Sequence, residues 1–243
     1  MNHRTILCAA LLALAATVVS GCGDRSAQEA ARAAAQTAAD EKAAREYADG
    51  FDAAVAAENW TLAKAQGDVL FARFPDTQQA ARIRPHYDDA KAKADALREA
   101  ARVAALWSYQ AENVKGGQQL SAAIYSQEPV DTDGGGAHPV RLIFRDHPDW
   151  GRSAYLVLEA GDFDCYGGCR LKVTADGKTH ALPGSRPRTD EAIAMFIDDH
   201  KALWKLAKAS KQLSIEFPTK GVGRKTVDFE VGGLDPARLP KWN

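Results

Sequence analysis

Two aspartates in the second half of the chain flank one aromatic residue, and their spacing could support acid–base chemistry. Asp162 and Asp164 stand on either side of Phe163, so in an extended segment both carboxylates would point to the same face. Paired carboxylates can divide the work of general acid and general base in a hydrolase. Aspartates that close a strand beside a turn are more often solvated. We therefore favour a solvated turn and keep a hydrolase as the alternative.

Other residue types that carry chemistry do not fall into a recognisable site. The run 131–134 has the opening pattern of a calcium loop, but Leu142 occupies the position of the closing glutamate. His200 lies close to an apolar stripe, where a histidine is usually a core-edge residue rather than a catalyst. The sequence contains no serine-hydrolase nucleophile elbow, no phosphate-binding loop and no dinucleotide-binding fingerprint. We therefore assign no catalytic residue, metal ligand or cofactor, and lean away from an enzyme.

A cluster of basic residues near the C-terminus offers a binding surface. Between positions 201 and 225 there are seven Lys or Arg residues and a single acid, Glu216. The seven are Lys201, Lys205, Lys208, Lys211, Lys220, Arg224 and Lys225. They predict either a solvated face or attraction to anionic lipid headgroups, lipopolysaccharide or an acidic partner. Nucleic acid is not an expected partner, because the chain balances 31 basic against 32 acidic side chains.

The N-terminal segment combines three features that determine where a protein is delivered. It begins with the basic stretch 2–4, continues with an apolar run of 14 residues from Ile6 to Val19 and ends at Val19-Ser20-Gly21-Cys22. The apolar run is too short to span a bilayer but is typical of a signal peptide. The segment resembles the signal peptide and lipobox of bacterial lipoproteins.

This resemblance implies cleavage after residue 21 and attachment of lipid to Cys22. Residues 1–21 would be the signal peptide, the Cys22 thiol would receive a diacylglycerol, and its amine would receive an acyl chain such as palmitate. The chain would then be anchored to a membrane without spanning it. Asp24 follows the cysteine after one glycine, which favours the periplasmic face of the outer membrane. An ordinary secretory signal and an uncleaved anchor helix remain the alternatives.

Delivery to the cell envelope also implies the state of the other cysteines. Cys8 would leave with the signal peptide and Cys22 would be acylated, so Cys165 and Cys169 would meet an oxidising compartment as a pair. If residues 166–168 form a hairpin loop, the two cysteines lie opposite each other on neighbouring strands. Closing so short a loop would stabilise the fold by about 2 kcal/mol in the chain-entropy model. A redox or metal site is the alternative to this structural disulfide.

Helix-forming composition dominates the chain as far as residue 106. Residues 22–45 contain no large apolar side chain and predict an Ala-rich helical spacer, either solvated or packed as the alanine seam of a coiled coil. Residues 46–106 predict a helical bundle, in which Asn59 separates the first two helices and Pro75 ends the second. The expected inward positions of the second helix are Leu62, Ala65, Val69 and Leu70.

One segment of this bundle is similar to a known repeat. Tyr47, Ala63 and Pro75 fall at the offsets of the aromatic, alanine and proline of a tetratricopeptide repeat. The segment resembles one degenerate unit of that family, because Gly67 occupies the place of an aromatic residue. Such repeats need several stacked units to bury a core, so a generic helical bundle remains the alternative. Both interpretations favour protein contact over catalysis.

Residues 107–243 change to the pattern of strands and turns and predict a disulfide-linked α+β domain. Alternating apolar and polar residues, clearest in 213–217 and 227–231, predict strands with one buried and one wet face. The candidate strands are 106–112, 119–126, 140–146, 153–160, 162–165, 169–175, 212–217 and 225–231. Thr189 is the expected cap of one helix that runs to about Ser210 and packs on the sheet. The predicted fold class is therefore α+β with an antiparallel sheet.

The order of features in this half, from Trp107-Ser108-Tyr109 to Gly232-Gly233-Leu234, resembles uncharacterised periplasmic proteins of proteobacteria. That resemblance implies no activity. Together the observations predict a lipid-anchored envelope lipoprotein that acts as a non-enzymatic binding or scaffold module. The alternatives are an envelope hydrolase that uses Asp162 and Asp164, and an inhibitor-like lipoprotein. The expected partners are the membrane, through the acyl anchor, and a protein or anionic envelope component.

Overall fold

A computed structural model describes residues 21–189 and 192–242, without the side chains of residues 21–24. The expected signal peptide and the two acids after Thr189 therefore lie outside the described residues, apart from the backbone of Gly21. Helices in the first half and an antiparallel sheet in the second confirm the α+β fold class. The chain divides into two compact units, the first ending at Asp95 and the second comprising Ala96–Asn243.

Three helices account for the N-terminal half. They are α1 (Gly21–Ala56), α2 (Trp60–Arg73) and α3 (Gln78–Ala104), and α3 continues from the first unit into the second. The predicted break at Asn59 is confirmed, because its side chain caps α2 by accepting the backbone N–H of Leu62 at 3.1 Å. The side chains of residues 25–39 in α1 are all exposed. None of the described helices is long and apolar enough to cross a membrane.

Small side chains let the first two helices approach closely. Ala44, Ala48 and Phe51 of α1 are buried in one cluster with Ala63 and Leu70 of α2. The inward face of α2 is Ala63, Gly67 and Leu70, so the sequence prediction of its inward face was wrong except at Leu70. Leu62 is instead 44% exposed. Alanine and glycine at the contact positions bring the helix axes together, which rotates the larger Leu62 toward solvent.

The second unit is built on an antiparallel sheet of nine strands among the described residues. The order across it is β1-β2-β5-β6-β9-β8-β7-β10-β11, and the short β3 and β4 pair separately. The strands are β1 (Ser108–Val114), β2 (Gly117–Tyr125), β3 (Val130–Asp131), β4 (Ala137–His138), β5 (Arg141–His147), β6 (Gly151–Val157), β7 (Cys169–Ala175), β8 (Lys178–Ser185), β9 (Ala194–Ile197), β10 (Leu213–Thr219) and β11 (Gly223–Phe229).

This sheet curls so that one face encloses the core. Side chains from both halves of the sheet, such as Phe144 of β5 and Phe217 of β10, belong to one buried cluster. The two sides also meet through the backbone, since the N–H of Gln127 donates to the carbonyl of Asp228 in β11 at 2.8 Å. Helix α4 (His200–Ala209) buries Trp204 in the same cluster, with its ring 5.1 Å from that of Phe144. The opposite face of the sheet points outward.

The predicted helix between Thr189 and Ser210 is half wrong. Its first part is β9, and α4 begins only at His200, where Asp199 caps it by accepting the N–H of Ala202 at 3.0 Å. Apolar residues occupy every position from 192 to 197, so hydrophobic periodicity could not separate a strand from a helix there. Pairing with β6 on one side and β8 on the other decides for the strand.

The strand pairing around the cysteines also differs from the prediction. The disulfide between Cys165 and Cys169 is present, with an S–S distance of 2.00 Å. However, residues 162–165 do not form a strand that pairs with β7, because Phe163 bridges Thr219 and the partner of Cys169 is Gly184 of β8. Strand β8 was missed because it contains a proline and a glycine, which usually argue against a strand.

Candidate binding surface

The two aspartates that could have formed an acid pair have separate roles. Asp162 is fixed by Arg186, whose guanidinium contacts both carboxylate oxygens at 2.6 and 2.7 Å, and by Lys220 at 2.5 Å. The backbone N–H of Ala192 donates to the same carboxylate at 3.1 Å. Asp164 is exposed. The carboxylate of Asp162 therefore joins three segments of the domain, whereas that of Asp164 faces solvent.

Arg186 is the buried centre of this cluster. Its side chain is 1% exposed, and it also donates to the carbonyl oxygens of Phe163 at 3.2 Å and of Thr189. Burial by itself would raise the pKa of Asp162, but hydrogen bonds from Lys220, Ala192 and Arg186 outweigh it and hold that pKa below its ordinary value. A charge fixed in this way supports the loop rather than chemistry.

The aspartate at the start of the calcium-like run closes a turn. The Asp131 carboxylate accepts the backbone N–H groups of Gly134 at 2.6 Å and Asp133 at 3.1 Å. These hydrogen bonds, together with the charge of Lys225, lower the pKa of Asp131. Among the described residues, no group of three or more histidine, cysteine, aspartate or glutamate side chains could hold a metal ion.

The structure divides the seven basic residues into separate groups. Lys201, Lys205 and Lys208 are exposed on α4, and Lys211 follows at the start of β10. Lys220 and Arg224 lie at the other end of β10, about 20 Å away along a seven-residue strand. There they form ion pairs with Asp162 and Glu216. Lys225 is half-buried beside Asp131. One continuous basic face is therefore not formed by these seven residues.

A different surface combines arginine with aromatic side chains on the outer face of the sheet. Strand register places Tyr125 of β2 opposite Arg141 of β5, Tyr155 of β6 opposite Ile143, and Phe196 of β9 opposite Tyr155. Because side chains alternate along each strand, these residues share the face that points away from Phe144. We call this surface the arginine–aromatic patch and define it as Tyr125, Arg141, Ile143, Arg145, Trp150, Tyr155 and Phe196.

Both arginines of the patch lie over aromatic rings. The guanidinium carbon of Arg145 is 5.2 Å from the ring centre of Tyr155 and 5.3 Å from that of Trp150. The guanidinium of Arg141 lies 5.6 Å from the ring centre of Tyr125. These distances allow cation–π attraction, which limits the freedom of each guanidinium without neutralising its charge. The patch therefore presents two oriented cations on an aromatic support.

Within the part of the chain that the structure describes, neither of these cations is compensated by an acid. Among the described residues, no carboxylate lies within 4.0 Å of the side-chain nitrogens of Arg141 or Arg145. The Nε atom of each is buried without a hydrogen-bond partner. A buried donor without a partner lowers stability. Arg141 and Arg145 therefore have hydrogen-bonding capacity that the described residues leave unused, in contrast to Arg186.

Two aromatic members of the patch are highly accessible, whereas Tyr155 and Phe196 are half-buried. Trp150 is 71% exposed and Tyr125 is 51% exposed. Trp150 is also held in place, because its ring stacks on that of His147 at a centroid distance of 3.9 Å. Exposed tryptophan, tyrosine and arginine together are typical of the residues that dominate the energy of protein–protein contacts. An accessible patch of this composition is a candidate binding surface.

Two clefts lie between the patch and the disulfide. One cleft of about 230 Å³ is lined by Phe196 together with Arg152, Ser185 and His200. A second cleft of about 460 Å³ adjoins Cys169, and Asp198 belongs to the lining of both. The Ser185 hydroxyl donates to the Asp198 carboxylate at 2.6 Å. The clefts thus offer polar groups next to the aromatic end of the patch.

Sequence reasoning missed the patch. Its signal was present in β5, where Arg141 and Arg145 stand on either side of Ile143 at outward positions. Tyr125, Tyr155 and the other aromatic members come from different strands and are brought together only by the register of the sheet. The useful sequence signal is therefore the pair of arginines at outward positions of one strand, separated only by the apolar residues 142–144.

The described residues define an α+β protein with a helical N-terminal unit and an antiparallel sheet whose outer face carries the arginine–aromatic patch. No protein-family model and no curated protein matches the chain. Among solved structures, the crystal structure of invasion-associated protein B from Bartonella henselae matches 56% of this chain and 91% of that chain. The two share 13% sequence identity, and the TM-score is 0.37. A likeness this low establishes neither a common fold nor a common function.

Proposed function

We propose that the chain is a lipid-anchored lipoprotein of the cell envelope that acts as a non-enzymatic binding module. The observation that carries the binding role is the arginine–aromatic patch, in which two uncompensated guanidinium groups rest on exposed aromatic rings. The anchor is proposed from the resemblance of Val19-Ser20-Gly21-Cys22 to a lipobox. The membrane contact would then be made by acyl chains at Cys22 on the periplasmic face of the outer membrane.

Helix α1 supports this arrangement. It begins at Gly21, next to the proposed lipidation site, and its residues 25–39 are exposed and lack large apolar side chains. An α-helix rises 1.5 Å per residue, so these residues would span about 20 Å. A solvated segment of this length fits a spacer between an anchor and a folded part of the chain.

The site geometry also bears on the alternatives. A hydrolase that used Asp162 would have to release this carboxylate from Arg186 and Lys220. Such a release would leave the side chain of Arg186 buried without its counter-charge, which is costly. An inhibitor-like lipoprotein is a special case of the binding module, in which the partner is an enzyme. We therefore prefer binding to hydrolysis.

Membrane fractionation tests the anchor. The full chain should remain with membranes after washing in high salt, whereas Cys22→Ala should move to the soluble fraction, because the acyl chains are lost. A variant with Cys165→Ala and Cys169→Ala is the matched control, since it removes two cysteines and keeps Cys22. A Cys22→Ala protein that stays in the washed membranes would contradict the proposal.

A further inference from the structure

The two arginines of the patch are separated by a distance that selects a shape of ligand. Arg141 and Arg145 lie four residues apart on one strand, so their Cα atoms are about 13 Å apart at roughly 3.3 Å per residue. Both side chains rise from the outer face. Arg141 leans toward Tyr125 of β2 and Arg145 toward Tyr155 of β6, on the other side of β5. A ligand that contacts both guanidinium groups must therefore carry two anionic groups at least as far apart as the two Cα atoms.

The region between the two arginines is apolar. Ile143 stands midway between them, is 8% exposed and faces Tyr155 of the next strand. The ring of Phe196 lies 5.5 Å from that of Tyr155 and continues this apolar strip. A ligand that spans both arginines would therefore place an apolar group over the strip, between its two anionic groups.

An extended polypeptide meets these requirements. In an extended chain, side chains four residues apart are separated by about 13 Å and project to the same side. On a helix the same four residues cover only about 6 Å. A planar guanidinium binds carboxylates, like phosphates, with two parallel hydrogen bonds, and carboxylates are the anionic groups of an unmodified polypeptide. The surrounding tryptophan and tyrosine residues are those that anchor protein partners.

We infer that the arginine–aromatic patch binds an extended acidic segment of a partner protein. One carboxylate of the segment contacts Arg141, a second carboxylate at least four residues away contacts Arg145, and an apolar side chain between them covers Ile143. This inference rests on the proposed binding function and specifies its partner. The driving force is charge complementarity to two cations that no acid among the described residues neutralises.

Site-specific photo-crosslinking in the envelope tests the location and the chemistry of the partner. A photoreactive phenylalanine derivative replaces Tyr125 or Trp150 in the full chain, and in a control it replaces Tyr166. Tyr166 is a matched position because it is aromatic, 67% exposed and outside the patch, in the turn between the two cysteines. Mass spectrometry then identifies the crosslinked material. We expect a protein segment with at least two carboxylates, captured from the patch positions and not from the control.

The captured segment is next synthesised with its own sequence and with Gln and Asn in place of Glu and Asp. Affinity for the purified full chain is measured with both peptides. Arg141→Gln and Arg145→Gln should each weaken binding of the acidic peptide roughly tenfold or more, because each removes hydrogen bonds between charged groups. Arg188→Gln, which removes the same charge from an exposed position outside the patch, should leave affinity unchanged.

Lysine substitution separates this partner from an anionic lipid surface. A variant with Arg141→Lys and Arg145→Lys keeps both charges but loses the planar fork, so it should also bind the peptide weakly. Crosslinks to lipid, a captured segment without carboxylates, or full affinity in the lysine variant would each overturn the inference. The proposed anchor is judged separately by the Cys22→Ala fractionation. A failure of that test would not remove a crosslink to an acidic segment.

Discussion

At the scale of single residues, Asp162 shows how one spacing can have two meanings. In the sequence it stands two positions from Asp164, and this arrangement is compatible with acid catalysis. In the structure its carboxylate is occupied by Arg186, which follows 24 residues later, and by Lys220. Neither partner could be identified from local spacing, because the loops that carry them meet only in the folded domain. The simpler interpretation of a solvated turn holds for Asp164 but was wrong for Asp162.

Substitution of the two aspartates separates these roles. Asp162→Asn should lower the free energy of unfolding of the second unit by about 3 to 5 kcal/mol, because the buried Arg186 would lose its counter-charge. Asp164→Asn is the matched control and should change the free energy by less than about 0.5 kcal/mol, as is usual for an exposed side chain. Urea denaturation of the full chain measures both values. Equal effects at the two positions would contradict the structural role of Asp162.

The same ion cluster predicts a dependence of stability on acid. The pKa of Asp162 in the folded chain is lower than its ordinary value of 3.8. The contribution of the Asp162 carboxylate to the free energy of unfolding is therefore complete above the ordinary pKa. It is lost as the pH falls through the lower pKa of the folded chain. The difference in unfolding midpoint between the native chain and Asp162→Asn should be constant above this range and shrink below it. A difference that grew on acidification would contradict the assignment.

At the scale of elements, secondary structure was predicted correctly where apolar and polar residues alternate strictly. It was not predicted where a segment is uniformly apolar. Strands β10 and β11 alternate along their length and were located within one or two residues. The break at Asn59 was predictable because a capping side chain and a proline mark the ends of α2. Strand β9 was not predictable, because its residues are all apolar and show no periodicity. Only pairing with β6 and β8 defines it as a strand.

Gly67 provides a test of helix packing in the first unit. A Cβ atom on this residue would overlap Cδ2 of Tyr87 and lie 2.6 Å from Cε2, so the Tyr87 ring occupies the space that a side chain would need. Gly67→Ala should destabilise the helical unit by about 1 to 3 kcal/mol through overpacking. Thermal unfolding monitored by helical circular dichroism measures the effect.

Gly50 in α1 is the matched control for this substitution. Its Cβ would approach only the flexible end of Gln66, with the nearest atom at 3.2 Å. Gly50→Ala should therefore be neutral or raise stability by up to about 1 kcal/mol, because alanine has the higher helix propensity. If Gly67→Ala proved as harmless as Gly50→Ala, the close contact between α2 and Tyr87 would be refuted.

At the scale of the whole molecule, the α+β class was predictable but the binding surface was not. Composition alone separates a helical half from a sheet half. The arginine–aromatic patch depends on strands β2, β5, β6 and β9 being neighbours in one register. The seven basic residues predicted as a cluster are close in sequence but not in the fold. The four that precede β10 are separated from the three that follow it by the full length of that strand. Surfaces made by one segment can be predicted from sequence, whereas surfaces made across strands cannot.

The proposed function depends on where the chain resides, because the proposed anchor and the proposed partner are both assigned to the cell envelope. The most direct measurement is the mass of the N-terminal peptide of the protein isolated from cell membranes. We predict that this peptide begins at Cys22 and carries a diacylglycerol on the thiol and an acyl chain on the amine. A peptide that begins before Cys22, or a Cys22 without lipid, would contradict the proposed lipid anchor.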